Sequence, residues 1–340
     1  MERRSLKAVI EANIPFIKGL IDDEVAVGYL APEAITAEAM READLLITRT
    51  RTRCDAALLD GSRCRMIATA TIGTDHIDLD YCRRRGIEVA NAPGCNAPAV
   101  AQYVFASLLA LYPEGLEGKT IGIVGVGHVG KIVADWGRQL GMTVLQNDPP
   151  RALVEGAEEF VGLDEIAEKA DVITYHTPMV RDGEFPTYHL FDQEFADKLR
   201  RRPTIINAAR GPITDTEALI RAREQGQISN LVIDCWENEP RFSPRLLELA
   251  AVATPHVAGY SRQGKIRATR MAVEAVARRF NLSPKPMAET APEGAAKHVN
   301  ALAIAQSYNP LEDTAALKTA SDDFERLRNR YKLREEVPNA

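Results

Sequence analysis

Three polar side chains stand where apolar, β-branched runs give way to Gly or Pro: Arg210 in INAARGP, Glu239 in DCWENEP and His256 in TPHVAGY. They are a cation, a carboxylate and a proton carrier that titrates near neutrality. If each run is a strand of an open parallel sheet, the three sit at strand carboxyl ends, which line the ligand crevice of such sheets. Upstream, Gly125, Gly127 and Gly130 form GxGxxG directly between the strand-like TIGIV and the helical pattern VGKIVADWGRQL. In that context the first glycine permits a tight turn, the second lets a pyrophosphate approach the backbone, and the third lets helix and strand pack closely. The helix N-terminus adds unpaired N–H groups and a positive dipole for the phosphates. The next strand, MTVLQN, ends at Asp148, where a carboxylate can accept the ribose hydroxyls and repel a 2′-phosphate. NAD is therefore the expected cofactor, with Arg151 the one nearby residue that points toward NADP. The three polar side chains would then converge on the nicotinamide.

The elements that must hold these residues are legible as a βαβ rhythm. LKAVIE, a helix over Pro15 to Ile21, DLLIT, RMIATA and IEVANA build a first sheet, and a buried helix follows over Ala97 to Leu111. TIGIV opens a second sheet, continued by MTVLQN, DVITYHTP, PTIINAARG, LVIDCWENEP and VATPHVAGY. At 340 residues the chain exceeds one hydrophobic core. The expected architecture is α/β: two Rossmann-like or flavodoxin-like domains with parallel sheets, the active site in the cleft between them, and a short C-terminal extension. Residues 1–96 with 260–284 form the substrate-binding domain, 97–259 the NAD-binding domain. Residues 285–340 read as a tether and an accessory amphipathic helix, DDFERLRNRYKLREE, outside both cores.

With these motifs on the page, the sequence resembles the D-2-hydroxyacid dehydrogenases, in which the matching arginine, glutamate and histidine are the catalytic set. The resemblance implies that His256 is the base for the substrate hydroxyl, that Glu239 orients the imidazole and favours its charged form, and that Arg210 holds the substrate carboxylate with its planar fork. ATATIGTDHIDLDYCRRRGIEVANAPGCNAPAVAQYVFASLLAL, HTPMVRDGEFPTYHLF and the opening IEANIPF narrow the likeness to a subgroup that oxidises a small phosphorylated 2-hydroxy acid. That subgroup implies NAD contacts at Asp148, Thr177, Ala208, Ala209, Arg210, Asp234 and Gly259, and substrate contacts at Thr50, Thr71 and Tyr260. Thr50 stands where the subgroup carries serine. The tail resembles the subgroup's dimerisation segment, so a homodimer is expected.

A phosphate needs a holder of its own. In DLLITRTRTRCD, arginines at every second position place Arg49, Arg51 and Arg53 on one side of an extended chain. Arg53 reads as a solvated edge. Arg49 and Thr50 lie at the strand tip, beside the turn of Thr71, Gly73 and Thr74, where an arginine fork, hydroxyls and loop N–H groups suit a dianion. His76 reads as a residue that ties down this turn, and His176 as one that shapes the cofactor site.

Composition bounds the rest. A net charge of -6 argues against nucleic acid as a partner. The longest apolar run, Ala99 to Tyr112, is too short for a bilayer, so no membrane partner is expected. Five scattered cysteines without a CxxC pair suggest reduced thiols in cytoplasm, and six dispersed histidines suggest no metal site. Two other readings share the scaffold: a glyoxylate/hydroxypyruvate or phosphoglycerate dehydrogenase, and a non-enzymatic NAD-sensing corepressor.

Overall fold

The computed structural model describes residues 5–339. The chain forms two compact units, Met1–Asn96 with Arg262–Glu293 and Ala97–Ser261 with Gly294–Ala340. Each carries its own parallel sheet, as the alternation of strand and helix patterns predicts.

In the first unit the strands are β1 (Leu6–Glu11), β2 (Val25–Leu30), β3 (Leu45–Thr48), β4 (Met66–Thr69) and β5 (Glu88–Ala90), in the order β2-β1-β3-β4-β5. The central strands read as continuous apolar runs because both faces are covered. Ile10, Leu45, Ile47, Met66 and Ala68 pack on one face with Ala268, Ala272, Val273 and Val276 of the helix Arg262–Phe280. Val9, Leu46 and Ile67 pack on the other with Met40, Leu59 and Tyr81. The strand order reverses between β1 and β3, the place where sheets of this order bind ligands.

The helix expected over Pro15 to Ile21 is replaced by turns. Ile14, Ile17, Leu20 and Ile21 are all buried, which imitates a helical stripe, but positive φ at Phe16 and Gly19 breaks the chain between them. The edge strand β2 has no counterpart among the expected strands; only Val25 in it is buried, so its apolar pattern is weak.

In the second unit β6 (Thr120–Val124), β7 (Thr143–Asn147), β8 (Val172–Tyr175), β9 (Thr204–Asn207), β10 (Asn230–Ile233) and β11 (Val252–Ala253) run in the order β11-β10-β9-β8-β6-β7. The helix Ala97–Leu111 is buried almost all round and packs with Ile121, Ile123, Val232 and Val252. The order reverses between β6 and β8, and the glycine turn follows β6.

The tail departs from expectation. Residues 285–293 belong to the first unit, where the Lys285 amide donates to the Leu20 carbonyl at 2.8 Å. From residue 294 the chain joins the second unit and helps to build its cores: Ile304, Leu317, Phe324 and Val337 are buried there. The amphipathic segment is α-helical only over Phe324–Asn329, after a 3-10 turn at Ser321–Asp323, and two further helices, Ala301–Ser307 and Pro310–Thr319, precede it. Apolar residues are spread thinly here, so composition alone resembled a solvated extension.

Candidate active site

The glycine turn has the shape its sequence demands. Gly125 sits at φ +91°, and a Cβ there would fall 2.8 Å from Thr177 atoms; one on Gly130 would fall 2.2 Å from the Gly125 carbonyl oxygen. Among the described residues, nothing beyond its chain neighbours and its own helix stands within 4 Å of a Cβ built on Gly127. The helix His128–Gln139 begins there without a side-chain cap, so room and N–H groups suited to a pyrophosphate coincide. Thr177 Oγ1 is buried with no hydrogen-bond partner among the described residues, a polar atom fit for a cofactor to satisfy. Asp148 is fastened to this turn, with Oδ2 accepting from the Val126 amide at 2.8 Å and Oδ1 from the Arg151 amide at 3.1 Å. The Arg151 side chain donates to Glu155 at 2.8 Å and to the Val126 carbonyl at 2.6 Å. Its charge is thus matched by a neighbouring carboxylate, and the residues present fit NAD.

The remaining tips of the same sheet carry the polar set. After β9, buried Asn207 shapes the turn Ala208–Arg210: its Nδ2 donates to the Arg210 carbonyl at 2.9 Å and its Oδ1 accepts from the Ala209 amide at 3.2 Å. Gly211 is pressed on the next tip so closely that a Cβ would lie 2.1 Å from the Trp236 carbonyl oxygen. After β10, Asp234 is buried and accepts from Thr254 Oγ1 at 2.6 Å and from the amides of Val257 and Ala258 at 2.7 and 3.0 Å. Its carboxylate organises the turn that bears His256. Trp236 Nε1 adds a bond to the Thr254 carbonyl at 2.8 Å. These anchors hold His256 at φ 56°, a left-handed conformation that costs a non-glycine residue free energy and persists only where neighbours impose it.

His256 Nδ1 lies 2.6 Å from Glu239 Oε1. Both side chains are about a quarter exposed, 23% and 25%, so the pair is shielded yet reachable. Burial alone would raise the Glu239 carboxyl's proton affinity. The hydrogen bond and charge of His256, then the Arg328 guanidinium and the Trp236 amide, outweigh it and hold Glu239 below the usual carboxylate range. Cys235, fully buried beside them, is pushed well above the ordinary thiol range by burial and by the charges of Asp234 and Glu239, so it offers no thiolate nucleophile. Burial also drives His176 down to about 3, leaving it a neutral partner of Thr174 Oγ1 at 3.0 Å. Gly259 and Tyr260 continue the His256 turn, closed by a bond from the Tyr260 amide to the Val257 carbonyl at 2.8 Å.

Arg49 and Thr50 stand at the β1/β3 reversal of the first unit. The Arg49 amide donates to Glu11 Oε2 at 2.8 Å and its Nη1 to the Asn13 carbonyl at 3.3 Å. The register Thr48↔Thr69 sets this tip beside the turn after β4. There the Thr71 and Thr69 hydroxyls meet at 2.6 Å and Thr71 reaches the Gly73 carbonyl at 3.2 Å, with Thr74 next in line. The expected one-sided row of arginines does not form. β3 ends at Thr48 and the chain turns through residues 49–53, which sends Arg53 to Asp55 at 2.8 Å. The His76 carbonyl accepts from the Cys54 amide at 2.8 Å, while its Nε2 is buried with no hydrogen-bond partner among the described residues, so the imidazole itself does not tie the turn.

Arg328, which lies within the amphipathic segment DDFERLRNRYKLREE but was not singled out there, approaches Glu239 Oε1 at 4.0 Å. Only its place in the fold reveals it.

Glycine turn, acid at the next strand tip, and a histidine–glutamate pair across the sheet suit hydride transfer between a dinucleotide and a secondary alcohol, and the class so defined is that of the NAD-dependent dehydrogenases. A family model described as "D-isomer specific 2-hydroxyacid dehydrogenase, NAD binding domain" matches residues 100–258. Erythronate-4-phosphate dehydrogenase of Bacteroides thetaiotaomicron is 45% identical over 97% of both chains. The enzyme of that name from Chromohalobacter salexigens is 46% identical over 82% of this chain and 73% of its own. Among solved structures, D-lactate dehydrogenase from Aquifex aeolicus, complexed with NAD and lactic acid, is 27% identical, with a TM-score of 0.69 over 81% of this chain and 95% of its own. The chain belongs to the erythronate-4-phosphate dehydrogenase family of the D-isomer specific 2-hydroxyacid dehydrogenases. It is an NAD-dependent enzyme acting on a CH–OH group.

Proposed function

We propose that this chain oxidises the C2 hydroxyl of 4-phospho-D-erythronate to 2-oxo-3-hydroxy-4-phosphobutanoate, as a step toward pyridoxal 5′-phosphate. The observation that carries the reading is the Glu239–His256 contact, at the sheet tips of a chain that is 45% identical over 97% of its length to an enzyme of that name. With Nδ1 given to Glu239, His256 keeps Nε2 for the substrate and takes the hydroxyl proton as the carbonyl forms. Arg210 holds the C1 carboxylate and steadies the developing carbonyl oxygen. Bound NAD supplies the acceptor for the C2 hydride. Gly125, Gly127, Gly130 and Asp148 hold its pyrophosphate and ribose, and Thr177, Ala208, Ala209 and Gly259 border it, with Asp234 behind them. Arg49 and Thr50 take the 4-phosphate, assisted by Thr71, Gly73 and Thr74, and Tyr260 is a further substrate contact.

We place the enzyme in the cytoplasm as a homodimer. All five cysteines are free and buried, and among the described residues no helix is long and apolar enough to cross a membrane. Leu302 and Leu311 on the tail helices are exposed apolar side chains that a second copy would cover. Sedimentation of wild type and Leu302→Glu tests the dimer; a monomeric wild type refutes it.

The function is tested by assaying NADH formation from a panel of 2-hydroxy acids with and without a 4-phosphate. Selective turnover of 4-phosphoerythronate supports the reading. Preference for glycerate, 3-phosphoglycerate or lactate assigns the chain elsewhere in the family, and turnover of none removes the enzymatic reading.

A further inference from the structure

The short helix Phe324–Asn329 is docked on the segment that carries Glu239. Phe324 is buried and its ring stands 5.4 Å from that of Phe242, which in turn stands 4.4 Å from Trp236. One turn beyond Phe324, Arg328 shares its helix face and is brought to the catalytic pair, with Nη1 4.0 Å from the same Glu239 oxygen that accepts from His256 Nδ1. The guanidinium also interacts with the side chain of Tyr260, four residues after His256. Its own helix offers Glu325 at 3.9 Å. Only 19% of the Arg328 side chain is exposed, so solvent screens these interactions weakly. A second tail arginine, Arg334, braces the same turn from behind, donating to the carbonyls of Val257 at 3.0 Å, Tyr260 at 3.3 Å and Ala258.

We propose that Arg328 is a positioning residue of the active site: from the C-terminal tail its guanidinium, 4.0 Å from Glu239 Oε1, sets how readily the Glu239–His256 pair takes up a proton. Among the described residues, the charged and titratable groups near the pair include Arg328 with Glu325 beside it, Tyr260 against Tyr331, and Cys235, on which Asp234, Glu239, Arg210 and Arg328 all act. Arg328 is the cation closest to the shared oxygen among the contacts described for Glu239. A cation there favours the unprotonated pair, which is the form that oxidation requires. It also opposes the tendency of the buried carboxylate to become neutral. Tail and chemistry are coupled by this one side chain.

The inference rests on the dehydrogenase reading above, and the test separates the two. Wild type, Arg328→Gln, Arg328→Lys and Glu325→Gln are compared with whichever acid of the panel the wild type oxidises, across pH and at saturating NAD. Removing the cation makes proton uptake by the pair easier. Arg328→Gln should therefore move the acid limb of kcat/KM upward by roughly one pH unit, with kcat lowered about tenfold and NAD affinity unchanged. Arg328→Lys keeps the charge and should restore the limb, while the loss of the planar fork leaves kcat reduced. Glu325→Gln, an exposed change that removes the competing carboxylate, should move the limb the other way by a few tenths of a unit, and it decides the matter if Arg328→Gln does not fold. Unmoved limbs in these variants, on a wild type that turns over, overturn the inference and leave the function standing. A wild type that oxidises none of the acids overturns both.

Discussion

Glu239 and His256, seventeen residues apart, meet at 2.6 Å through Oε1 and Nδ1 because Asp234 and Trp236 tie the tip of β10 to the turn after β11. His256→Gln should lower kcat by roughly a hundred- to ten-thousandfold while NAD affinity, read by fluorescence titration, stays within twofold. Activity within tenfold of wild type would show that another group takes the proton. Glu239→Gln removes the carboxylate that favours the charged imidazole, so the acid limb of the oxidation profile should move to lower pH and the maximum should fall. A limb that stays in place means the contact has no part in the proton transfer.

Asp148 sits at the lip of the glycine turn with both oxygens engaged by backbone amides. Asp148→Ala should relax the preference for NAD over NADP, since it removes both the ribose acceptor and the repulsion of a 2′-phosphate. Equal preference ratios in variant and wild type would put the ribose elsewhere.

Arg49 spends its amide and one guanidinium nitrogen on the β1 tip, which leaves other donors of the fork for a dianion. Arg49→Ala should reduce kcat/KM for the phosphorylated substrate by roughly ten- to a hundredfold, with activity on unphosphorylated erythronate barely changed. Equal losses on both would assign Arg49 to the fold or to the carboxylate end.

Phe324 is 1% exposed, so Phe324→Ala should destabilise the second unit by about 3 kcal/mol or more, seen as a lower urea midpoint. A peripheral tail would give a change under about 0.5 kcal/mol.

The strand tips of the second unit were legible because buried parallel strands read as unbroken β-branched runs that stop at Gly, Pro or Asn; Arg210, Glu239 and His256 could be placed there before any coordinates. The glycine turn was legible for the same reason, its neighbours on both sides having one conformation available. The one-sided row of Arg49, Arg51 and Arg53 was misread because the two-residue period of a strand was extended past Thr48, where the backbone turns, although Arg53 is solvated as expected. Pro15 to Ile21 was misread because burial at helical spacing does not require a helix when Phe16 and Gly19 adopt positive φ. Arg328 was invisible for a different reason. Its role depends on a helix of six residues whose apolar anchor, Phe324, finds its partners more than eighty positions earlier, and no local pattern reports so distant a pairing.

Arg334 has a consequence for the order in which the protein is made. The carbonyls of Val257, Ala258 and Tyr260 leave the ribosome dozens of residues ahead of the guanidinium that will satisfy them. Until Arg334 emerges, those acceptors are left to water, and the His256 turn lacks the brace beneath it. A nascent chain that has completed both sheets is therefore still short of an ordered catalytic turn, so translation can finish the scaffold well before it finishes the enzyme.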